Sequence, residues 1–180
     1  NGLYITKNSA TALYVGIYDD TLAFSLGRCD ETTFEKINFL VECGASPSEI
    51  ANKLLRRDSL AKYRIIPKVL DSLELYKEGE IASIIAMEEW FKQTGAHNRD
   101  CEDALDMVMS IAVVKVAIFV RISNGVSRVS LRSKGQIDVS KIAGKFDGGG
   151  HFNASGCTIE TLDVEKAKEI VLKEIFEIYK

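Results

Sequence analysis

The chain has 180 residues, of which 46% are hydrophobic and 27% are charged, and its net charge is −3. This composition is ordinary for a globular protein and excludes a disordered chain. No stretch approaches the roughly 18 consecutive apolar residues that a transmembrane helix needs. At roughly 150 residues per domain, the length allows one domain and part of another.

The N-terminal residues have the pattern of short helices. Residues 8–15 predict a helix, and a loop is expected over residues 16–24. Asp30 predicts the N-cap of a second helix, which is expected to end at Gly44. This part of the chain is therefore expected to be helical.

Two further helices precede a change of pattern. Residues 46–49, Ser-Pro-Ser-Glu, form a capping box with proline at the first helical position. Another helical stretch runs to about Leu73, and Pro67 is expected to bend or interrupt it. We place a domain boundary after residue 76, between an N-terminal part that ends in a helical linker (1–76) and a second domain (77–180).

The second domain begins with strands and a short helix. Two strands are predicted around Gly79, followed by a helix over Glu88–Thr94 that Gly95 ends, and by a polar loop over residues 96–103. The chain then continues with a strand over Val113–Ile122.

A hairpin and two capped helices complete the second domain. Asn124-Gly125 is a strong hairpin signal, and residues 126–133 are the return strand. Asp138 and Asp163 each predict the N-cap of a helix, with a strand over residues 155–160 between them. We predict an α/β protein whose C-terminal lobe is α+β, with a helical linker to a mixed β-sheet domain packed against helices.

The cysteines and the charge distribution limit the classes of function. Four separated cysteines without a CxxC pair argue against a disulfide framework or a zinc site, so we expect reduced thiols, a cytoplasmic location and no membrane partner. Residues 121–151 hold six basic and two acidic residues, a local charge of +4 against −7 elsewhere. An acidic protein with one basic segment suggests a focused site for an anion rather than a general polyanion binder.

The basic segment contains a strand with arginines on one face. A period of two puts Arg128, Ser130 and Arg132 on one side of the strand, and Val129 and Leu131 on the other. An arginine fork matches the oxygens of a phosphate. The alternative is that these arginines belong to a solvated surface.

Three glycines and a histidine follow the strand. Gly148, Gly149 and Gly150 leave their backbone N–H groups unshielded, which favours an anion-binding concavity with His151 at its edge. The alternative is a helix C-cap and a turn. None of these features is decisive by itself.

The order of the motifs resembles a known domain. SLRSK (130–134), IDVSKIAGKF (137–146), GGGH (148–151) and ASG (154–156) resemble the DHH-associated C-terminal domain of DHH-family phosphoesterases. The resemblance covers about residues 78–180. It implies a substrate-binding site made by Arg128, Arg132, Ser133, Gly148, Gly149, Gly150 and His151.

The N-terminal segment resembles the last block of the catalytic DHH domain of the same family. Residues 10–21 match that block, and Asp20 stands where the family has an aspartate ligand of a catalytic manganese. The Asp-His-His triplet and the early Asp-x-Asp motif are missing, and the only histidines are His97 and His151. A site for two Mn²⁺ ions would need most of its ligands from outside this chain, so we expect this chain alone to be inactive.

The resemblance implies a manganese-dependent phosphoesterase that hydrolyses short oligoribonucleotides, 3′-phosphoadenosine 5′-phosphate, or both. A RecJ-like single-strand exonuclease and a cyclic-dinucleotide phosphodiesterase are alternative branches of the family. A non-catalytic RNA-binding module is an alternative of another class, as is a basic patch that serves a subunit contact. The expected partners are short oligonucleotides or small phosphonucleotides, and a homodimer stays open.

Overall fold

The computed structural model describes residues 4–21, 23–24, 29–55 and 58–179. The chain divides after Arg57 into two compact units. Within the described residues, no helix is both long and apolar enough to cross a membrane.

The described residues of the first unit contain three helices: α1 (Lys7–Asp20), α2 (Glu31–Glu42) and α3 (Pro47–Leu55). Asp30 caps α2 as predicted, because its carboxylate accepts a hydrogen bond from Thr33 N. The helices enclose a small core that contains Ala10, Tyr14, Leu40, Ala45 and Ile50.

The first helix is longer than the sequence pattern indicated. The loop expected over residues 16–24 is wrong in its first part, because α1 continues to Asp20. One glycine inside a helix costs about 1 kcal/mol and does not end it. Thr21 is the C-cap of the helix, and its hydroxyl donates to Ile17 O at 2.7 Å. Leu22, within the same expected loop, lies outside the described residues.

The second unit contains five α-helices and six strands among its described residues. They are α4 (Leu60–Asp71), β1 (Glu74–Tyr76), β2 (Ile81–Ala86), α5 (Glu88–Thr94), α6 (Asp103–Met109), β3 (Val116–Ser123), β4 (Val126–Ser133), α7 (Val139–Gly144), β5 (Gly149–His151), β6 (Ala154–Ile159) and α8 (Val164–Ile178).

The strands form one mixed sheet in the order β1-β2-β3-β4-β6-β5. Only β2 and β3 are parallel to each other; the other neighbouring pairs are antiparallel. The predicted hairpin is confirmed, because Asn124 and Gly125 have φ values of 54° and 80° between β3 and β4. Positive φ at both positions is what a two-residue type I′ turn requires. The α+β character predicted for this lobe is confirmed.

The sheet lies between two layers of helices. One face of β2, β3, β4 and β6 packs on α7 and α8, with a core that includes Ile118, Leu131 and Ile142. The opposite face of β2 and β3 packs on α4 and α6, around Phe119. Only part of this second face is covered, as described below.

The helix α4 packs with the sheet. Its residues Ile65 and Val69 are fully buried in the same core as Ile84 of β2. The sequence pattern assigned this helix to the linker before residue 76, whereas the compact units divide after Arg57. The helix also runs through Pro67 to Asp71, so Pro67 does not interrupt it.

The connection after α5 is also more regular than predicted. The polar loop expected over residues 96–103 contains a short 3-10 turn, Asn98–Cys101, and leads directly into α6. All four cysteines are free thiols in this structure. Helix α6 borders the site described next.

Candidate functional site

On the sheet face that carries Arg132, helices cover β3, whereas β4, β6 and β5 are left open. Ala117 and Phe119 of β3 are buried beneath helices on this face. The same face of β4, β6 and β5 has no buried hydrophobic side chain among the described residues. We call this surface the open half-face; it consists of Arg128, Ser130, Arg132, Gly149, His151, Ala154, Gly156 and Thr158.

The register of the strands places Arg132 and His151 on the open half-face together. Ala154 of β6 pairs with Arg132 on one side and with His151 on the other. Paired residues point to the same side of a sheet, and each step between strands is about 5 Å. The two Cα atoms are therefore about 10 Å apart across the sheet.

Arg132 faces a polar cavity that α6 closes on one side. Its Nη1 donates to Leu131 O at 3.2 Å, and its Nε lies 3.7 Å from Asp106 Oδ1. The cavity has a volume of about 380 Å³. Its lining does not include His151 and consists of Glu102, Asp103, Leu105, Asp106, Phe119, Arg121, Ser130 and Arg132.

One of the cavity's carboxylates is already neutralised. Lys62 of α4 forms ion pairs with Asp103 and Asp58. Burial by itself would lower the pKa of Lys62, but hydrogen bonds to Asp103 and Asp58 raise it above its ordinary value. The charges that face one another across the cavity are therefore Arg121 and Arg132 from the sheet and two carboxylates from the α6 side.

Arg128 lies at the outer end of the open half-face. It is exposed, and its Nη1 donates to Thr158 Oγ1 at 3.0 Å. It pairs across the hairpin with Arg121 and does not line the cavity. The structure thus confirms that Arg128, Ser130 and Arg132 share one face of β4, and it separates Arg128 from the cavity.

The three glycines have different roles. A Cβ on Gly148 would lie 2.3 Å from Gly156 O, and one on Gly150, where φ is 145°, would lie 2.5 Å from Ala154 O. Both positions need glycine because the backbone at Gly148 and at Gly150 lies so close to β6. A Cβ on Gly149 would meet nothing within 4 Å, since this residue faces the open side. Gly149 therefore leaves space above the sheet.

The backbone corrects one reason for expecting an anion site here. Gly148 N donates to Ala143 O at 3.0 Å, at the end of α7. This amide is not free, so the contribution of Gly148 is steric. Gly148 follows α7, whose C-cap is Lys145, whereas Gly149 and His151 belong to the edge strand β5.

Ser133 lies away from the other predicted site residues. It is buried on the opposite face of β4, where its hydroxyl donates to Ile137 O at 2.6 Å and accepts a hydrogen bond from Asn153 Nδ2 at 2.9 Å. These bonds tie β4 to the segment before α7 and to the β5–β6 turn. This position gives Ser133 a structural role, and its predicted role in substrate binding stays a prediction.

Three further residues that no sequence motif identified line the cavity: Glu102, Asp106 and Arg121. Arg121 could have been found, since a two-residue turn at Asn124-Gly125 pairs it with Arg128. The acidic residues could not, because nothing in the local pattern shows that α6 folds back beside β4.

The N-terminal candidate, Asp20, is the exposed last residue of α1. Within the described residues, no group of three or more histidine, cysteine, aspartate or glutamate side chains could hold a metal ion. The described part of the chain therefore does not form a two-metal site.

The family description "DHHA1 domain" matches residues 80–179. The chain belongs to the DHHA1 domain family. The match begins at the entry to β2 and includes every residue of the open half-face. It confirms the resemblance drawn from the motifs of the basic segment.

Named relatives extend the similarity to almost the whole chain. The chain is 27% identical over 176 residues to the bifunctional oligoribonuclease and PAP phosphatase NrnA of Thermus thermophilus, covering 98% of this chain and 52% of the relative. It is also 27% identical over 177 residues to the cyclic-di-AMP phosphodiesterase PdeA of Listeria monocytogenes, covering 98% of this chain and 26% of the relative. The chain thus spans about half or less of the length of these relatives.

A solved structure has the same fold. An exopolyphosphatase-related protein from Bacteroides fragilis is 28% identical, with a TM-score of 0.88, over 97% of this chain and 51% of that one. The chain therefore shares its fold with this solved protein. It shares its sequence pattern with relatives whose names describe a phosphatase and a phosphodiesterase.

Proposed function

We propose that this chain is the substrate-binding part of a phosphoesterase that hydrolyses short oligoribonucleotides, 3′-phosphoadenosine 5′-phosphate, or both. The observation that carries the proposal is the open half-face, where Arg132 and His151 flank a floor of small residues. The name of the Thermus thermophilus relative, an oligoribonuclease and PAP phosphatase, supports it.

The residues of the open half-face suit a terminal phosphate. Such a group offers several acceptor oxygens, more than one side chain can satisfy, and the fork of Arg132 provides paired donors. His151 lies two strands away on the same face. Gly149 has no side chain, so it leaves space for the ligand above the sheet. Arg128, farther along β4, is placed for a neighbouring part of the ligand.

The charge distribution favours small ligands. The basic segment carries +4, and the remainder of the chain carries −7. Long polymers are gripped by extended basic surfaces with many phosphate contacts. A compact basic site on an acidic protein is better suited to a dinucleotide or a mononucleotide. A cytoplasmic location and a homodimer belong to the same proposal.

We propose that most ligands of the catalytic metal lie outside this chain. Manganese is the metal proposed, and Asp20 is proposed as one of its ligands. Because the described residues contain no three-ligand group, they do not fit a complete metal site. The proposed role of this chain in the reaction is to bind and orient the substrate.

A cyclic-dinucleotide phosphodiesterase is the second candidate. The similarity to the Listeria monocytogenes protein, over 98% of this chain, favours it. A cyclic ligand has no terminal phosphate, so it would depend less on Arg132 and His151 together. The RecJ-like exonuclease and the RNA-binding module remain alternatives that the same experiment separates.

Calorimetric titration of this chain tests the proposal with five ligands: a 5′-phosphorylated diribonucleotide, 3′-phosphoadenosine 5′-phosphate, cyclic di-AMP, a long single-stranded DNA and a long RNA. We expect the first two to bind most tightly. Preference for cyclic di-AMP would favour the second candidate, and preference for the long strand would favour the exonuclease. Tight binding of long RNA without selectivity for a 5′-phosphate would favour the binding module.

Activity assays test the metal part of the proposal. This chain with manganese should give no turnover of a short RNA, and robust turnover would contradict the proposal. In a longer protein that also carries the missing metal ligands, Asp20→Ala should abolish hydrolysis while leaving the fold intact. Full activity in that variant would show that Asp20 is not a metal ligand.

A further inference from the structure

Arg121 of β3 shares the polar cavity with Arg132. Its guanidinium lies 5.1 Å from the centre of the Phe119 ring, and its Nη1 donates to Ser130 Oγ at 3.2 Å. Phe119 pairs with Ser130, two residues along the hairpin from Arg121. The side chain is therefore laid along the sheet in the direction of Arg132, and both guanidinium groups border the same space.

The hydrogen bonds of Arg121 are incomplete. Its side chain is 15% exposed, yet its buried Nε has no hydrogen-bond partner among the described residues. Glu102 Oε1 lies 3.8 Å from Nη2, which is an ion-pair distance and too long for a hydrogen bond. Buried donors are nearly always paired in native proteins. A small movement into the cavity would let this side chain reach a further acceptor.

The counterions of both arginines are loosely held. Asp106 lies 3.7 Å from Arg132 Nε, and its side chain is 73% exposed. Glu102 is 60% exposed beside Arg121. Exposed ion pairs at such distances contribute little energy and are easily exchanged for a stronger anion. A phosphate group, which accepts paired hydrogen bonds from arginine, is such an anion.

We infer that Arg121 is a second phosphate-binding residue, so that the cavity takes a ligand with two neighbouring phosphate groups. One phosphate lies on Arg132, and the other lies on Arg121 and Ser130. The inference rests on the proposed function for the first phosphate. The volume of about 380 Å³ is within the range of small-ligand pockets. The second phosphate belongs to a diphosphate or to the internucleotide linkage of a phosphorylated dinucleotide.

Titrations of inorganic phosphate, pyrophosphate and a 5′-phosphorylated diribonucleotide test the inference. The proteins are the parent chain, Arg121→Gln, and the control Lys141→Gln, which removes one positive charge on α7 beyond the opposite face. The parent should bind pyrophosphate or the dinucleotide at least about tenfold more tightly than phosphate. Arg121→Gln should lose that preference and keep its affinity for phosphate within about twofold, and Lys141→Gln should keep the preference.

The two sources of the second phosphate predict different losses of affinity in Arg121→Gln. A loss confined to pyrophosphate assigns Arg121 to a diphosphate, and a loss confined to the dinucleotide assigns it to the internucleotide phosphate. Arg121→Lys keeps the charge and should retain part of the preference at an unchanged melting temperature.

Three results would overturn the inference: no change in Arg121→Gln, an equal loss for phosphate and for both two-phosphate ligands, or no binding of any of these anions by the parent. Arg132→Ala distinguishes this failure from failure of the proposed function. If Arg132→Ala weakens dinucleotide binding and Arg121→Gln does not, only the second phosphate position is wrong. If neither does, the proposed function itself fails.

Discussion

On one face of the sheet, Val129 and Leu131 of β4 are buried beneath α7 and α8, whereas on the other face Ser130 and Arg132 adjoin open space. The two sets of side chains alternate along a single strand. One set can be changed only at the expense of the core, and the other is free to meet a ligand. Stability and binding should therefore respond to different substitutions at neighbouring positions.

The largest effect is expected on the covered face. Leu131 is fully buried, so Leu131→Ala should lower the free energy of unfolding by about 2–5 kcal/mol. Ser130→Ala, on the open half-face, should change it by less than about 1 kcal/mol. Urea unfolding of the second unit measures both. Equal losses would show that the two faces of β4 are not energetically distinct.

On the open half-face, the largest expected effect is on binding. Arg132→Ala should weaken binding of a 5′-phosphorylated dinucleotide by about 1.5–3 kcal/mol, the range for a hydrogen bond to a charged group. That corresponds to roughly 10–150-fold in affinity. Its unfolding free energy should hardly change, because its partner Asp106 is mostly exposed. Calorimetry and urea unfolding check the two halves of this prediction.

The affinities of two further variants show where the ligand lies on the open half-face. Arg128→Ala should cost less affinity than Arg132→Ala, since Arg128 lies about 13 Å farther along the strand. His151→Ala should weaken binding without removing metal from a complete enzyme. If Arg132→Ala binds as tightly as the parent, the phosphate position lies elsewhere; if His151→Ala releases manganese, His151 belongs to the metal site.

The successive residues Gly148 and Gly149 offer the same comparison. Gly148→Ala should destabilise the protein by about 1–3 kcal/mol, since its Cβ would meet the backbone of β6. Gly149→Ala should not, because its Cβ would point into open space, but it should reduce ligand affinity by filling that space. Thermal unfolding together with titration checks the pair. A Gly149→Ala variant with full affinity would place the ligand away from β5.

The reactivity of the buried thiols reports on the packing of the two cores of the second unit. Burial raises the pKa of Cys101 and of Cys157 to about 11. At about pH 8 such thiols hold very little thiolate, the reactive form. Alkylation followed by mass spectrometry should modify the half-buried Cys29 and Cys43 first. Rapid labelling of Cys157 would show that the packing of α7 and α8 on β6 opens readily.

The smallest expected effect is a pH dependence at the sheet edge. Hydrogen bonds from Tyr76 and Lys168 hold the pKa of Glu74 below its ordinary value. The unfolded chain therefore binds more protons near this carboxyl's unfolded pKa of about 4.3. Stability from Glu74 should be present above that pH and should be lost as the pH falls. Urea unfolding between about pH 6 and 3 should show a shallower loss in Glu74→Gln than in the control Glu169→Gln; equal slopes would contradict the assignment.

Much of the second unit could be predicted from short-range patterns. Asn124-Gly125 predicts the hairpin because few residues adopt positive φ at two successive positions, and alternation then separates Arg132 from Leu131. Asp138 and Asp163 mark helix starts because their carboxylates satisfy backbone N–H groups at the helix ends. Pro67 does not interrupt α4, since buried residues around it, Ile65, Ile66 and Val69, stabilise the helix against the local preference.

By itself, the sequence determined the hairpin, the alternation along β4, the helix starts and the family, because each depends on residues close together in the chain or on motif order. Only the tertiary structure decided that Arg132 and His151 share a surface, since that depends on β6 pairing with both β4 and β5. The tertiary structure also decided that Ser133 is buried, that Gly148 N donates a hydrogen bond to Ala143 O, and that α6 lies beside Arg121. These outcomes depend on packing between segments far apart in the chain, and no local pattern contains that information.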